Sequence, residues 1–154
     1  MRITRLLKIT RIIKMESPKT KEKVLFICNR NAARSQIAEG LLRSLYGKYY
    51  NVYSAGNDPS TLSHYAVKVM AEIGVDISKH RSKSLKEFEG AEFDHVVTVC
   101  SNEGQACPYF PRGKNYLHKS FEDPAGVKGT EIDKLKVFRK IRDEIREWIE
   151  ETFK

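Results

Sequence analysis

The run Val24-Leu25-Phe26-Ile27-Cys28-Asn29-Arg30-Asn31-Ala32-Ala33-Arg34-Ser35 decides the fold. Four apolar residues make a strand, and the pattern beginning at Arg34 makes a helix, so Cys28 to Ala33 is the short connection between them. Such a connection turns successive backbone N–H groups inward, and the helix N-terminus adds the positive end of its dipole. Asn29, Arg30, Asn31, Ala32, Ala33 and Arg34 are therefore expected to cradle a tetrahedral anion, with the planar fork of Arg34 holding two of its oxygens. The same field favours a thiolate at Cys28, which makes that residue a nucleophile. Ser35 is placed to donate a hydrogen bond to the sulfur. Asn31 is expected in a left-handed backbone conformation, which Asn tolerates better than most residues.

Working outward, apolar strand patterns near 24–28, 51–55, 95–100 and 115–118 alternate with helical patterns near 34–46, 63–73 and 131–152. That alternation predicts an α/β fold, a four-stranded parallel sheet with helices on both faces, with ligands at the carboxyl ends of the strands, where Cys28 lies. In the last helix Leu135, Phe138, Ile141, Ile145, Trp148 and Ile149 recur at three and four, one apolar face that puts Trp148 in the core. Ser63 and Thr130 are expected N-caps. Residues 78–90 are polar and irregular, and 102–113 have the Gly and Pro content of a loop.

A length of 154 residues, 40% hydrophobic and 31% charged, fits a single core. The net charge of +8 is uneven: residues 1–23 hold eight Lys or Arg and two Glu, a net of +6, which leaves +2 for the rest. Basicity thus implies no nucleic-acid binding by residues 22–154, read as one catalytic domain. Residues 1–21 are read as a basic extension, disordered or preceding the true start at Met15. No run of about eighteen apolar residues exists, so no membrane span is expected. Three cysteines, Cys28, Cys100 and Cys107, make a poor disulfide framework, and no signal-peptide pattern opens the chain; the reading is cytoplasmic. Zinc spacing is absent, so no metal is expected. Nucleotide-binding glycine motifs are absent too, so no bound cofactor is expected. Cysteines without a metal point to thiol exchange, a nucleophile with a resolving pair. Taken alone, Cys100 is also readable as a small buried hydrophobe, Cys107 as a loop thiol, and Asp123 before Pro124 as a turn opener.

Several separate segments carry a resemblance. They are the Cys28 to Gly40 loop and helix, Tyr53-Ser54-Ala55-Gly56, Ile73 to Ser78, Phe93 to Cys100, Cys107-Pro108, and Phe121-Glu122-Asp123-Pro124-Ala125. Together they resemble the thioredoxin-coupled arsenate reductases, which are built on the low-molecular-weight protein tyrosine phosphatase fold, over residues 22–154. The resemblance implies that Cys28 attacks arsenate, Arg34 and the loop hold the oxyanion, and Asp123 protonates the departing oxygen. It further implies that Cys100 attacks Cys28, that Cys107 attacks Cys100, and that thioredoxin, an external dithiol, reduces the Cys100–Cys107 disulfide. Phosphate and sulfate are look-alike anions for such a loop, and a monomer is expected. A tyrosine phosphatase using Cys28, Arg34 and Asp123 on a phosphate ester is the alternative. Such phosphatases follow the Asp-Pro with Tyr, where this chain has Ala125, and need no resolving pair. Arg30 and Ala33 depart from common family residues. Lys83 stands where some relatives use an acidic residue to bind potassium, so its ammonium is expected to remove any potassium requirement.

Overall fold

Val24, Leu25, Phe26 and Ile27 are apolar at every position, the mark of a strand buried on both faces, and all four are fully buried. A computed structural model describes residues 20–101 and 107–153. The expected extension, up to residue 19, and the 102–106 part of the expected loop lie outside the described residues. The run forms the centre of β1 (Glu22–Cys28), which pairs in parallel with β2 (Tyr50–Gly56) on one side and β3 (Phe93–Thr98) on the other. An outer strand, β4 (Gly113–His118), completes a four-stranded parallel sheet in the order β2-β1-β3-β4.

Both faces carry helix, distributed unequally. Among the described residues three α-helices, α1 (Arg34–Tyr46), α2 (His64–Ala71) and α3 (Glu131–Thr152), lie against the Val24, Phe26 and Cys28 face through Ile37, Leu41, Val69, Met70, Phe138, Ile141 and Ile145. The opposite face, made by Leu25, Ile27 and Val96, is closed by Phe110 and by one 3-10 turn, Leu85–Phe88, in the stretch expected to be irregular. Burying each such side chain contributes roughly 1.5–3 kcal/mol.

The caps follow the expectation. Ser63 Oγ accepts from Ala66 N, and Thr130 forms a reciprocal capping box with Asp133. α2 ends two residues earlier than its pattern predicts because the chain turns into Gly74, at φ 78°. Trp148 packs at the rim of the core, edge-on to Phe121 at 6.0 Å and Phe153 at 6.1 Å. Arg142, on the polar side of the α3 pattern, is nevertheless buried; it donates to Val69 O and to Glu72, tying α3 to α2. Hydrogen bonds from Arg139, then from Arg142, hold the Glu72 carboxyl down to about 2.

β1 and β2 end side by side, so Gly56 faces the loop that follows Cys28. A Cβ at Gly56 would sit 2.6 Å from Asn29 O, 2.8 Å from Asn31 N and 2.8 Å from Cys28 O. Only glycine lets these backbones approach so closely. Gly56→Ala is expected to lower stability by about 1–3 kcal/mol in urea unfolding, in line with overpacking. It should also weaken phosphate binding in titration calorimetry; unchanged phosphate affinity would mean that the loop does not lean on Gly56.

Candidate active site

Cys28 ends β1 and is 2% exposed, and α1 begins at Arg34. No side chain caps α1 at Ala33, so the free N–H groups of its first turn remain available to an anion. Ser35 Oγ lies 2.9 Å from Cys28 Sγ, and Asn31 Nδ2 donates to Ser35 Oγ at 2.7 Å. Either group can donate when Cys28 is a thiol; once it is a thiolate it only accepts, and the Ser35 hydroxyl then donates to the sulfur, the geometry that stabilises a thiolate.

Asn31 is the only non-glycine residue at positive φ among those described, at 50°, as its place in the loop predicted. It is fully buried, and its side chain is used throughout. Nδ2 also donates to Ser54 Oγ at 2.9 Å, while Oδ1 accepts from Gln36 Nε2 at 2.8 Å and from Lys83 N at 2.9 Å. Ser54 in turn donates to the buried Glu39 at 2.5 Å. Cations surround that carboxylate: Arg43 at 2.7 Å, Lys83 at 3.9 Å, and His80 at 3.5 Å when protonated. Sequence reasoning placed Asn31, Ser35 and Lys83 but missed this network of Gln36, Glu39, Ser54 and His80. The available signal was Glu39, a carboxylate one helical turn after Ser35 and so on the same, inward face of α1.

Burial pushes the His80 imidazole below its ordinary value, outweighing the upward pull of Glu39. Its partners suit the neutral ring, Nδ1–H donating to Gln36 Oε1 at 2.9 Å and Nε2 accepting from Arg43 at 3.1 Å. Burial likewise pushes the Lys83 ammonium below its ordinary value, against the pull of Glu39.

The other expected residues converge on the same place. Arg34, 4% exposed, donates to Phe121 O at 3.2 Å and lies 3.5 Å from the half-exposed Asp123. Asp123 also accepts from Ala125 N at 3.0 Å, so it opens a turn and faces the loop at once. Cys28, Arg30, Arg34 and Asp123 line one cavity of about 280 Å³, walled by Tyr65, Pro124 and Phe138. Arg30 is exposed at its mouth. Cys100, 1% exposed, follows the end of β3, where Val99 N donates to Ile27 O at 2.9 Å and Cys100 Sγ lies 3.8 Å from that same carbonyl. It is joined to Cys107 in a disulfide, and Cys28 is free. Among the described residues no cluster of His, Cys, Asp or Glu has the makings of a metal site, and no helix is long and apolar enough to cross a membrane.

The model of the low molecular weight phosphotyrosine protein phosphatase family matches residues 23–154. An arsenate reductase of Halalkalibacterium halodurans is 41% identical over 125 residues, 81% of this chain and 90% of the relative. The structure of an arsenate reductase in a phosphate-binding state superposes with a TM-score of 0.72 at 32% identity, covering 84% of this chain and 95% of that one. A thioredoxin-dependent arsenate reductase of Corynebacterium glutamicum gives a TM-score of 0.62 at 29% identity, covering 94% of this chain and 68% of that one.

Two outcomes follow from this geometry. Ser35→Ala removes the donor to the sulfur, so alkylation of Cys28 by iodoacetamide at neutral pH, with the Cys100–Cys107 disulfide left intact, should slow by about tenfold, the effect of one charge-assisted hydrogen bond; an unchanged rate would deny Ser35 that role. For His80, the unfolded imidazole titrates near about 6.5 and the folded one lower, so the unfolded chain binds more protons as pH falls. The stability owed to neutral His80 is present above that value and is lost on acidification. His80→Asn should therefore flatten the fall in urea midpoint between about pH 7 and pH 5.

Proposed function

Because the chain belongs to the low molecular weight phosphotyrosine protein phosphatase family, and matches the arsenate reductases within it, we propose that it reduces arsenate to arsenite by a three-cysteine relay regenerated by thioredoxin. The observation that carries this reading is the Cys100–Cys107 disulfide, lying beside a free, buried Cys28 at the carboxyl ends of adjacent strands. A phosphatase would need Cys28, Arg34 and Asp123 alone and would leave that disulfide without a role.

Arsenate enters the cavity and is held by the loop N–H groups and by the Arg34 fork. The Cys28 thiolate, stabilised by Ser35, attacks arsenic; an arsenic–oxygen bond breaks, and Asp123 gives its proton to the departing oxygen. Cys100 then attacks Cys28 Sγ. The electron pair of the sulfur–arsenic bond passes to arsenic, which leaves as arsenite, and a Cys28–Cys100 disulfide remains. Cys107 attacks Cys100, frees Cys28 as a thiolate, and gives the disulfide present in this structure. Two electrons then come from the thioredoxin dithiol. The reaction needs no resident cofactor, and arsenate itself is the electron acceptor.

Lys83 supports a further expectation. Its Nζ donates to Arg81 O at 2.9 Å and lies 3.9 Å from Glu39, so a resident ammonium already sits beside the buried carboxylate under Asn31. Arsenate turnover should be the same in sodium and potassium buffers of equal ionic strength; stimulation by potassium would contradict it. The relay is tested with arsenate, thioredoxin, thioredoxin reductase and NADPH. Wild type should turn over repeatedly, Cys107→Ser at most once, and Cys28→Ser not at all. Hydrolysis of an aryl phosphate through Cys28, with no NADPH loss on arsenate, would make the protein a phosphatase.

A further inference from the structure

Tyr109 and Tyr116 have no part in the arsenate chemistry, yet they form a built feature of the surface. Tyr109 is 73% exposed and Tyr116 47%, and their rings stack at 5.9 Å with 19° between planes. The stack is mounted through Tyr116. Tyr116 Oη donates to Phe110 O at 2.9 Å and accepts from Gly113 N at 2.9 Å, and Phe110 is buried against Phe93 at 5.4 Å. Tyr116 belongs to β4, the outer strand, where it pairs with Val96. Single exposed apolar residues need no explanation, but a stacked pair with one ring hydrogen-bonded to the fold is the kind of amphipathic anchor that concentrates binding energy at protein interfaces.

Their place gives the occupant. Tyr109 follows Cys107 by two residues, so their Cα atoms are within about 7 Å of each other. Cys100 is 1% exposed while Cys107 is half-buried, so a nucleophile from outside meets the Cys107 sulfur first. A protein partner typically covers about 800 Å² on each side, an area wider than the span from Cys107 to Tyr109. We propose that the Tyr109–Tyr116 stack is the docking platform for the dithiol protein that reduces the Cys100–Cys107 disulfide; this rests on the reductase reading above. The fitting partner has a flat apolar surface around an exposed thiolate. Once it is docked, its thiolate attacks Cys107 Sγ, the Cys107–Cys100 bond breaks, and Cys100 leaves as a thiolate that takes up a proton. The partner's second thiol then attacks the intermolecular disulfide and frees Cys107, which is protonated in turn. The partner ends as the disulfide and this chain as the dithiol, two electrons and two protons having passed. A small dithiol reaches the same sulfur without the platform.

The test follows reduction of the oxidised protein directly, without arsenate, so that failure of the arsenate reading leaves it readable. The second-order rate constant for reduction by thioredoxin is measured for wild type, Tyr109→Ala and Tyr109→Phe, beside the rate with dithiothreitol. Tyr109→Ala should lose about tenfold or more with thioredoxin, as an anchor residue does, while Tyr109→Phe stays near wild type and the dithiothreitol rates stay equal throughout. A thioredoxin rate for Tyr109→Ala equal to wild type overturns the proposal. So does wild type that dithiothreitol reduces and thioredoxin does not. Sedimentation covers the competing occupant: if the stack joins two copies of this chain, Tyr109→Ala shifts a dimer to monomer with its thioredoxin rate unchanged, which likewise overturns the proposal.

Discussion

Asn31 is the constraint on which the site depends. Its left-handed backbone turns the loop between β1 and α1, and its carboxamide bonds at once to Ser35, Ser54, Gln36 and the backbone of Lys83. A buried carboxamide satisfied on both its nitrogen and its oxygen has one orientation, so the loop is fixed before any anion arrives. That matters because a preorganised cradle of N–H groups does not have to reorganise when charge develops on the bound oxyanion. Losing the amide would strip the Lys83 backbone N–H of its acceptor and remove the tie that joins Ser35, Ser54 and Gln36 in one network.

Charge is layered behind that amide. Glu39 sits beneath Ser54 with Arg43 and Lys83 around it, so a buried carboxylate close to an anion-binding loop is compensated locally. Without those cations it would oppose the anion that Arg34 and the helix terminus attract. The redox side of the site is set by strand order instead. With β3 directly beside β1, Cys100 arrives next to the carbonyl of Ile27, one residue from Cys28. Parallel register thus places the nucleophile and its partner at one end of the sheet, and the chain after Cys107 leads across to β4 and the stacked tyrosines.

What the sequence made legible was local. The strand, loop and helix from Val24 onward, the left-handed Asn31, the caps at Ser63 and Thr130 and the apolar face of α3 all follow from contacts within a few residues. Most of the support for the loop was not legible, because Ser54 and His80 reach it from β2 and from the stretch that follows α2, and no periodicity records such meetings. Leu85 and Phe88 close the second face of the sheet from a single 3-10 turn, too short to show a repeat. Arg142 reads as polar surface and is buried because Glu72 and the Val69 carbonyl satisfy it. The likeness of Asp123 to a turn opener and its place opposite Arg34 proved compatible, since its two carboxyl oxygens serve both.

The central claim, that electrons leave the protein through sulfur, is tested most directly by trapping its intermediate. Reduced Cys107→Ser protein is mixed with arsenate, quenched in acid and digested without reductant for peptide mass mapping. The account predicts one peptide pair joined through Cys28 and Cys100, formed in step with one equivalent of arsenite. Arsenate left unreduced with all thiols free, or a Cys28 that carries a phosphoryl group after exposure to an aryl phosphate while no such disulfide forms with arsenate, would contradict it.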